Sequence, residues 1–143
     1  MIVCKSPAEI EKMRAANQLV ARILEELAAM VAPGVTTAEL DRAAESKVRV
    51  AGAEPAFKGY RGYPATLCAS VNEQVVHGIP SAKPLAAGDI VSLDMGVRLD
   101  GYYGDSAVTV PVGAVGEDVT ALLRVTQEAL EQGIAQVKVG RFE

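Results

Sequence analysis

Apolar and polar positions recur with two different periods along this chain, and the change of period marks its elements. Ile10, Met13, Val20, Leu24, Leu27 and Val31 lie three, four or seven positions apart, the spacing of one buried helical face. Ser6 precedes that run as an N-cap, with Pro7 at the first helical position and Glu9 completing a capping box. Pro33-Gly34 ends this helix. Thr36 and Glu39 repeat the capping box and predict a second helix from about Thr37 to Ala51, stopped by Gly52. Gly, Pro and aromatic residues from Gly52 to Pro64 read as irregular; a short strand follows around Thr66 to Val71, and a loop from Asn72 to Lys83. The period then falls to two. Ile90 to Val97 and Tyr102 to Val112 alternate on either side of Asp100-Gly101, the signature of a β-hairpin with a two-residue turn. A third helix is predicted from about Asp118 to Val137. The order α, α, β, β-hairpin, α reads as an α+β fold.

The hairpin turn carries a chemical consequence. A type I′ turn at Asp100-Gly101 sets Asp94 opposite Ala107 and Asp105 opposite Gly96. Both carboxylates then leave the same face, one diagonal step apart at roughly 7 to 8 Å between backbone positions. A slip of one residue would put them on opposite faces. Val91, Leu93, Met95, Val97, Tyr102, Val108 and Val110 fall on the other face, an apolar surface for the helices to cover. The aspartate face carries the small residues Ser92, Gly96, Ala107 and Thr109, which leave space. Two carboxylates facing such a space repel unless a proton or cation intervenes, and hard divalent cations favour oxygen ligands. Two solvated acids on an exposed sheet face are the alternative.

Composition narrows the function classes. At 143 residues the chain is one domain, able to bury roughly two thirds of its unfolded surface. Apolar residues make up 50% and charged residues 22%, the balance of a soluble globular protein. The clearest apolar stretch, Leu27 to Ala38, is broken by Pro33-Gly34, which predicts no membrane span. MIVCKSPAEIEKM at the start has no uninterrupted apolar segment, which argues against a signal peptide and for the cytoplasm. A net charge of -4 with scattered Lys and Arg argues against nucleic acid as a partner. Cys4 and Cys68 are too far apart for a CxxC pair and read as free thiols. There is no GxSxG, P-loop or GxGxxG, and His77 is the single histidine. Residues 24–34 and 130–140 share five identities in eleven, either because two helices use the same helix formers or because the chain starts a second copy of its fold.

GYRGYPATLCASVNEQVVHGIP (59–80) followed by DIVSLDMGVRLDGYYGDSAV (89–108) closely resembles the type I methionine aminopeptidases, two-lobed pita-bread metallopeptidases. The resemblance covers essentially the whole chain, and related creatinase and prolidase enzymes share a spaced aspartate pair of this kind. It implies that residues 1–143 form the N-terminal lobe, an antiparallel sheet with helices on one face, with 118–143 starting a second repeat and the second lobe missing. It also implies removal of the N-terminal methionine from nascent proteins, by water activated between two divalent metal ions (Co, Mn, Fe or Zn). By the same resemblance Asp94 chelates one metal and Asp105 bridges both, while His77 contacts the scissile amide. Tyr60, Tyr63 and Cys68 line the methionine pocket with His77, and Phe57 stands where bacterial relatives often have Cys. A slot for an unbranched thioether needs snug apolar walls, which aromatic rings and a thiol supply.

The sequence departs from that family in one large respect. The family completes its metal site with one His and two Glu from the second lobe, and Glu117, Glu128, Glu131 and Glu143 fall on or beside the third helix instead. The resemblance therefore implies weak or partial metal binding and an inactive chain when alone. Two rivals remain: a non-enzymatic peptide-binding module on the same fold, and a homodimer in which a second copy replaces the absent lobe. An uncovered lobe face also predicts self-association.

Overall fold

The structure is a computed structural model that describes residues 3–140. Helix α1 spans Pro7–Met30 and starts at the predicted capping box: Ser6 Oγ accepts from the Glu9 amide, and Glu9 Oε2 accepts from the Ser6 amide at 2.7 Å. Helix α2 spans Thr37–Val50 and repeats this arrangement with Thr36 and Glu39. Each box satisfies amide groups that the first helical turn leaves without partners.

The sheet is antiparallel and centred on β3 (Ile90–Leu99). β4 (Tyr102–Pro111) pairs along one side of it. On the other side β2 (Leu67–Val71) and a two-residue strand, β1 (Glu54–Pro55), lie end to end, β1 opposite Val97 and Arg98. The sequence reading placed β1 in an irregular segment. Two residues carry no period, and a proline, which has no amide to donate, argues against a strand.

Helices α1 and α2 cover one face, α1 across β3 and β4, α2 over β1 and β2. Leu19, Val20, Ile23, Leu24 and Leu27 of α1, with Leu40, Ala44 and Val48 of α2, close over Leu67, Ala69, Val91, Leu93, Met95 and Val97. The alternate residues of β3 predicted to face the helices are thus fully buried, each contributing roughly 1.5–3 kcal/mol. α1 sits directly on the ribbon's backbone: a Cβ on Gly104 would lie 2.5 Å from the carbonyl carbon of Ala16. Beside this contact the Tyr102 hydroxyl donates to Glu9 Oε1 at 3.1 Å, and the Asp105 amide points to Asn17 Oδ1 at 3.4 Å. Val108, expected beneath a helix, stays 39% exposed because α1 meets β4 at Gly104 and Asp105.

Helix α3 (Glu117–Ala135) lies apart from the buried core beneath α1 and α2. None of its residues is buried, and Leu122, Val125, Leu130 and Ile134 are exposed. Gly34 and Gly140, aligned by the internal similarity, both adopt left-handed backbone. Residues 141–143, where the expected second repeat stops and which include Glu143, lie outside the described residues. No described helix is long and apolar enough to cross a membrane.

Gly104→Ala tests the seating of α1. The added methyl meets backbone atoms, which cannot rotate away, so the variant is expected to lose about 1–3 kcal/mol in urea unfolding. An unchanged midpoint would show that α1 does not rest against this strand.

Candidate metal centre

The register of the hairpin places the two aspartates. Asp94 pairs with Ala107 and Gly96 with Asp105, as the turn residues predicted, and Asp100 and Gly101 both hold positive φ (48° and 82°). Both carboxylates therefore leave the face opposite the helices. Ser92 and Thr109 share that face, their hydroxyls 2.8 Å apart.

β2 extends the same surface. Cys68 stands opposite Asp94 and Ser70 opposite Ser92. The Cys68 thiol group belongs to a residue only 3% exposed, and Tyr63 lies beside it. The Tyr63 hydroxyl is 3.0 Å from each of two carbonyl oxygens, those of Leu67 and Gly78, to which it donates. Gly78 ties the loop after β2 to the free edge of that strand: its carbonyl accepts from the Ala69 amide at 2.9 Å, and its own amide donates to Ser70 Oγ at 3.0 Å. A Cβ there would lie 2.3 Å from the Ala69 oxygen, so only glycine fits. His77, next in the chain, has a positive φ of 58° and an exposed side chain. Phe57 borders the site from the other end, its ring so close over Gly96 that a Cβ would come within 2.8 Å of Cε1. Tyr60 is outermost, 64% exposed, with the Arg61 guanidinium 5.4 Å from its ring centroid.

Electrostatics link these groups. Burial, and secondarily the charge of Asp105, push the Asp94 carboxyl above its usual range, with His77 opposing. Burial raises the Cys68 thiol; the hydrogen bond with Tyr63 works against that, and the charges of Asp94 and Asp105 add to it. The Tyr63 hydroxyl is raised well above the ordinary tyrosine range, first by burial and then by Cys68. The structure thus brings Asp94, Asp105, His77, Cys68 and Tyr63 into one neighbourhood, with Phe57 at its border and Tyr60 at the rim.

Two carboxylates on one face, with the Asp105 charge opposing ionisation of Asp94, suit a divalent cation in donor chemistry. They do not complete its coordination. Among the described residues no group of three or more His, Cys, Asp or Glu is arranged to hold a metal ion, and Glu117, Glu128 and Glu131 lie on the exposed α3. Sequence reading missed Asp41, a half-buried α2 residue whose Oδ1 accepts from the amides of Thr66 and Leu67. A single acid on a helix has no periodic signal to mark it.

The raised Asp94 carboxyl gives a pH prediction for the metal-free chain. A carboxyl whose folded pKa exceeds its unfolded one destabilises the fold once the pH is high enough to ionise it. Asp94→Asn is therefore expected to be more stable than the parent at neutral pH in chelator. The advantage should vanish as the pH falls towards 3.8, the ordinary aspartate value. Urea midpoints at a series of pH values measure this, and a constant difference would rule out the titration of Asp94 as its source.

Comparison with known proteins covers the stretch of chain that carries these residues. The family model "Metallopeptidase family M24" matches residues 11–142. Methionine aminopeptidase 1 of Bacillus subtilis is 49% identical over 140 residues, 98% of this chain and 56% of that protein. Methionine aminopeptidase 1 of Mycobacterium tuberculosis is 50% identical over 137 residues, covering 95% of this chain and 52% of that one. The chain thus spans about half the length of the curated relatives it matches. The solved structure of methionine aminopeptidase from Thermotoga maritima superposes with a TM-score of 0.93 at 45% identity, covering 96% of this chain and 56% of that one. The fold is one lobe of the pita-bread architecture, and the matched family implies divalent metal ions. With 132 of its 143 positions inside the family match and a site face that presents paired carboxylates, the chain belongs to metallopeptidase family M24.

Proposed function

We propose that this chain provides half of a methionine aminopeptidase active site. The observation that carries the reading is the placement of Asp94 and Asp105 on one face of the ribbon, with Cys68 directly opposite Asp94. The similarity to named methionine aminopeptidases supports it. Asp94 and Asp105 would hold the divalent cations, drawn from Mn, Fe, Co and Zn, with Asp105 as the ligand common to both. When bound, the cations supply Lewis acidity and make water nucleophilic at neutral pH.

The remaining residues bind and orient the substrate. Cys68, Tyr63 and Phe57 wall a slot for the thioether, and Tyr60 closes its rim. In the metal-free chain burial keeps both Cys68 and Tyr63 protonated at neutral pH, which leaves the slot uncharged. Gly78 holds the loop against β2, which leaves the His77 ring free to contact the scissile amide. The missing ligands come from the stretch that the longer relatives carry beyond the matched part, and 118–143 begins that second repeat. The apolar residues of α3 are then the surface that the second lobe covers, and the place where isolated copies associate. N-terminal methionine peptides in the cytoplasm are the substrates.

The test is peptide hydrolysis. The 143-residue chain with Mn²⁺ or Co²⁺ is expected to release no methionine from Met-Ala-Ser. A chimera that adds the remaining segment of the Bacillus subtilis relative should release it, and Asp105→Ala in that chimera should lose both metal and turnover, by about a thousandfold or more. Wild-type metal content in Asp105→Ala would end the bridging assignment. A tight peptide complex without turnover in the chimera would instead select a rival, a peptide-binding module on the same fold.

A further inference from the structure

The free edge of β2 is held by hydrogen bonds from outside the sheet. In a strand, the amide and carbonyl of one residue point to the same side, and residues two apart repeat that direction. The Ala69 amide points away from β3 and is received by the Gly78 carbonyl. The Leu67 amide points the same way, beyond the reach of that loop, and is received by Asp41 Oδ1 at 2.8 Å. The same oxygen accepts from the Thr66 amide at 2.9 Å, and the Leu67 carbonyl accepts from the Tyr63 hydroxyl at 3.0 Å. Thr66 and Leu67 are both fully buried, so their amides need an acceptor supplied by the protein.

We propose that Asp41 is a positioning residue for the substrate slot: its carboxylate, on α2 and outside the site, fixes the start of β2 and with it Cys68 and Tyr63. The proposal rests on the function read above. Cys68 follows Leu67 directly, and Tyr63 is bonded to the same peptide unit. Asp94 and Asp105 lie on β3 and β4, whose register is set by their own turn. A change at Asp41 therefore moves the slot while leaving the metal ligands in place. Asn offers the same oxygen at the same reach, Glu displaces it by one methylene, and Ala leaves two buried amides without an acceptor.

Cys68 reports the position of the strand without any need for turnover. In a Cys4→Ser background, the rate of iodoacetamide modification of Cys68 is measured by mass spectrometry on samples with matched folded fractions. Asp41→Ala is expected to speed modification by about tenfold, and Asp41→Glu by a smaller factor; Asp41→Asn, which keeps the accepting oxygen and removes only the charge that raises the thiol, measures that electrostatic part and stays well below the Asp41→Ala rate. A folded Asp41→Ala with the parent rate overturns the proposal; if that variant does not fold, a parent rate in Asp41→Glu does so. In the chimera that hydrolyses Met-Ala-Ser, Asp41→Glu should raise KM about tenfold with kcat and metal content retained, and Asp41→Asn should restore KM. A fall in kcat with KM unchanged would mark Asp41 as structural only. A chimera without turnover would sink the aminopeptidase reading, and the thiol rates would still decide the role of Asp41.

Discussion

Side chains alternate along a strand with a period of two, so a hairpin that slips by one residue exchanges its faces completely. Slip is prevented here at the turn, where Asp100 and Gly101 both occupy left-handed backbone. Asp100 pays for that conformation, roughly 1–2 kcal/mol for a residue with a side chain. The return is a fixed register along ten paired positions of β3. The same constraint buries Val91, Leu93, Met95 and Val97 under the helices and turns Asp94 and Asp105 to the opposite side. Core and candidate centre are two faces of one decision.

The aspartate side is built against the preference of its own groups. Burial and the Asp105 charge oppose ionisation of Asp94, and the same acids, with burial, raise the Cys68 thiol. A cation held by the two carboxylates would relieve that opposition and would link metal binding to folding, since whatever binds the native form alone stabilises it. The neighbouring Tyr63 and Cys68 remain uncharged, which confines the negative charge of the face to the two carboxylates.

What could be read from the sequence follows from which interactions are local. Both capping boxes join residues three apart, and the hairpin register follows from two turn residues, so Ser6, Thr36, Asp94 and Asp105 were all legible. Phe57, Cys68 and His77 entered the site through resemblance, because their approach to Asp94 and Asp105 depends on contacts between separate elements. Gly78 and Gly104 show why such contacts leave little trace: a glycine pressed against a neighbouring backbone looks the same in sequence as one in a loop. β1 and Asp41 were missed for related reasons, the first too short to show a period and the second acting on amides 25 and 26 residues away.

The exposed α3 divides the molecule thermodynamically. A helix of 19 residues is marginal in water when packing does not support it, and this one rests on its own backbone bonds and on side-chain pairs such as Arg124 with Glu128. Such pairs add only about 0.2–0.5 kcal/mol each. The rest of the chain shares one apolar interior and melts as a unit, whereas α3 can unwind without disturbing it. On heating, helical ellipticity should thus begin to fall at temperatures where the sheet is still whole, and a single transition temperature would describe only the two-helix, four-strand body.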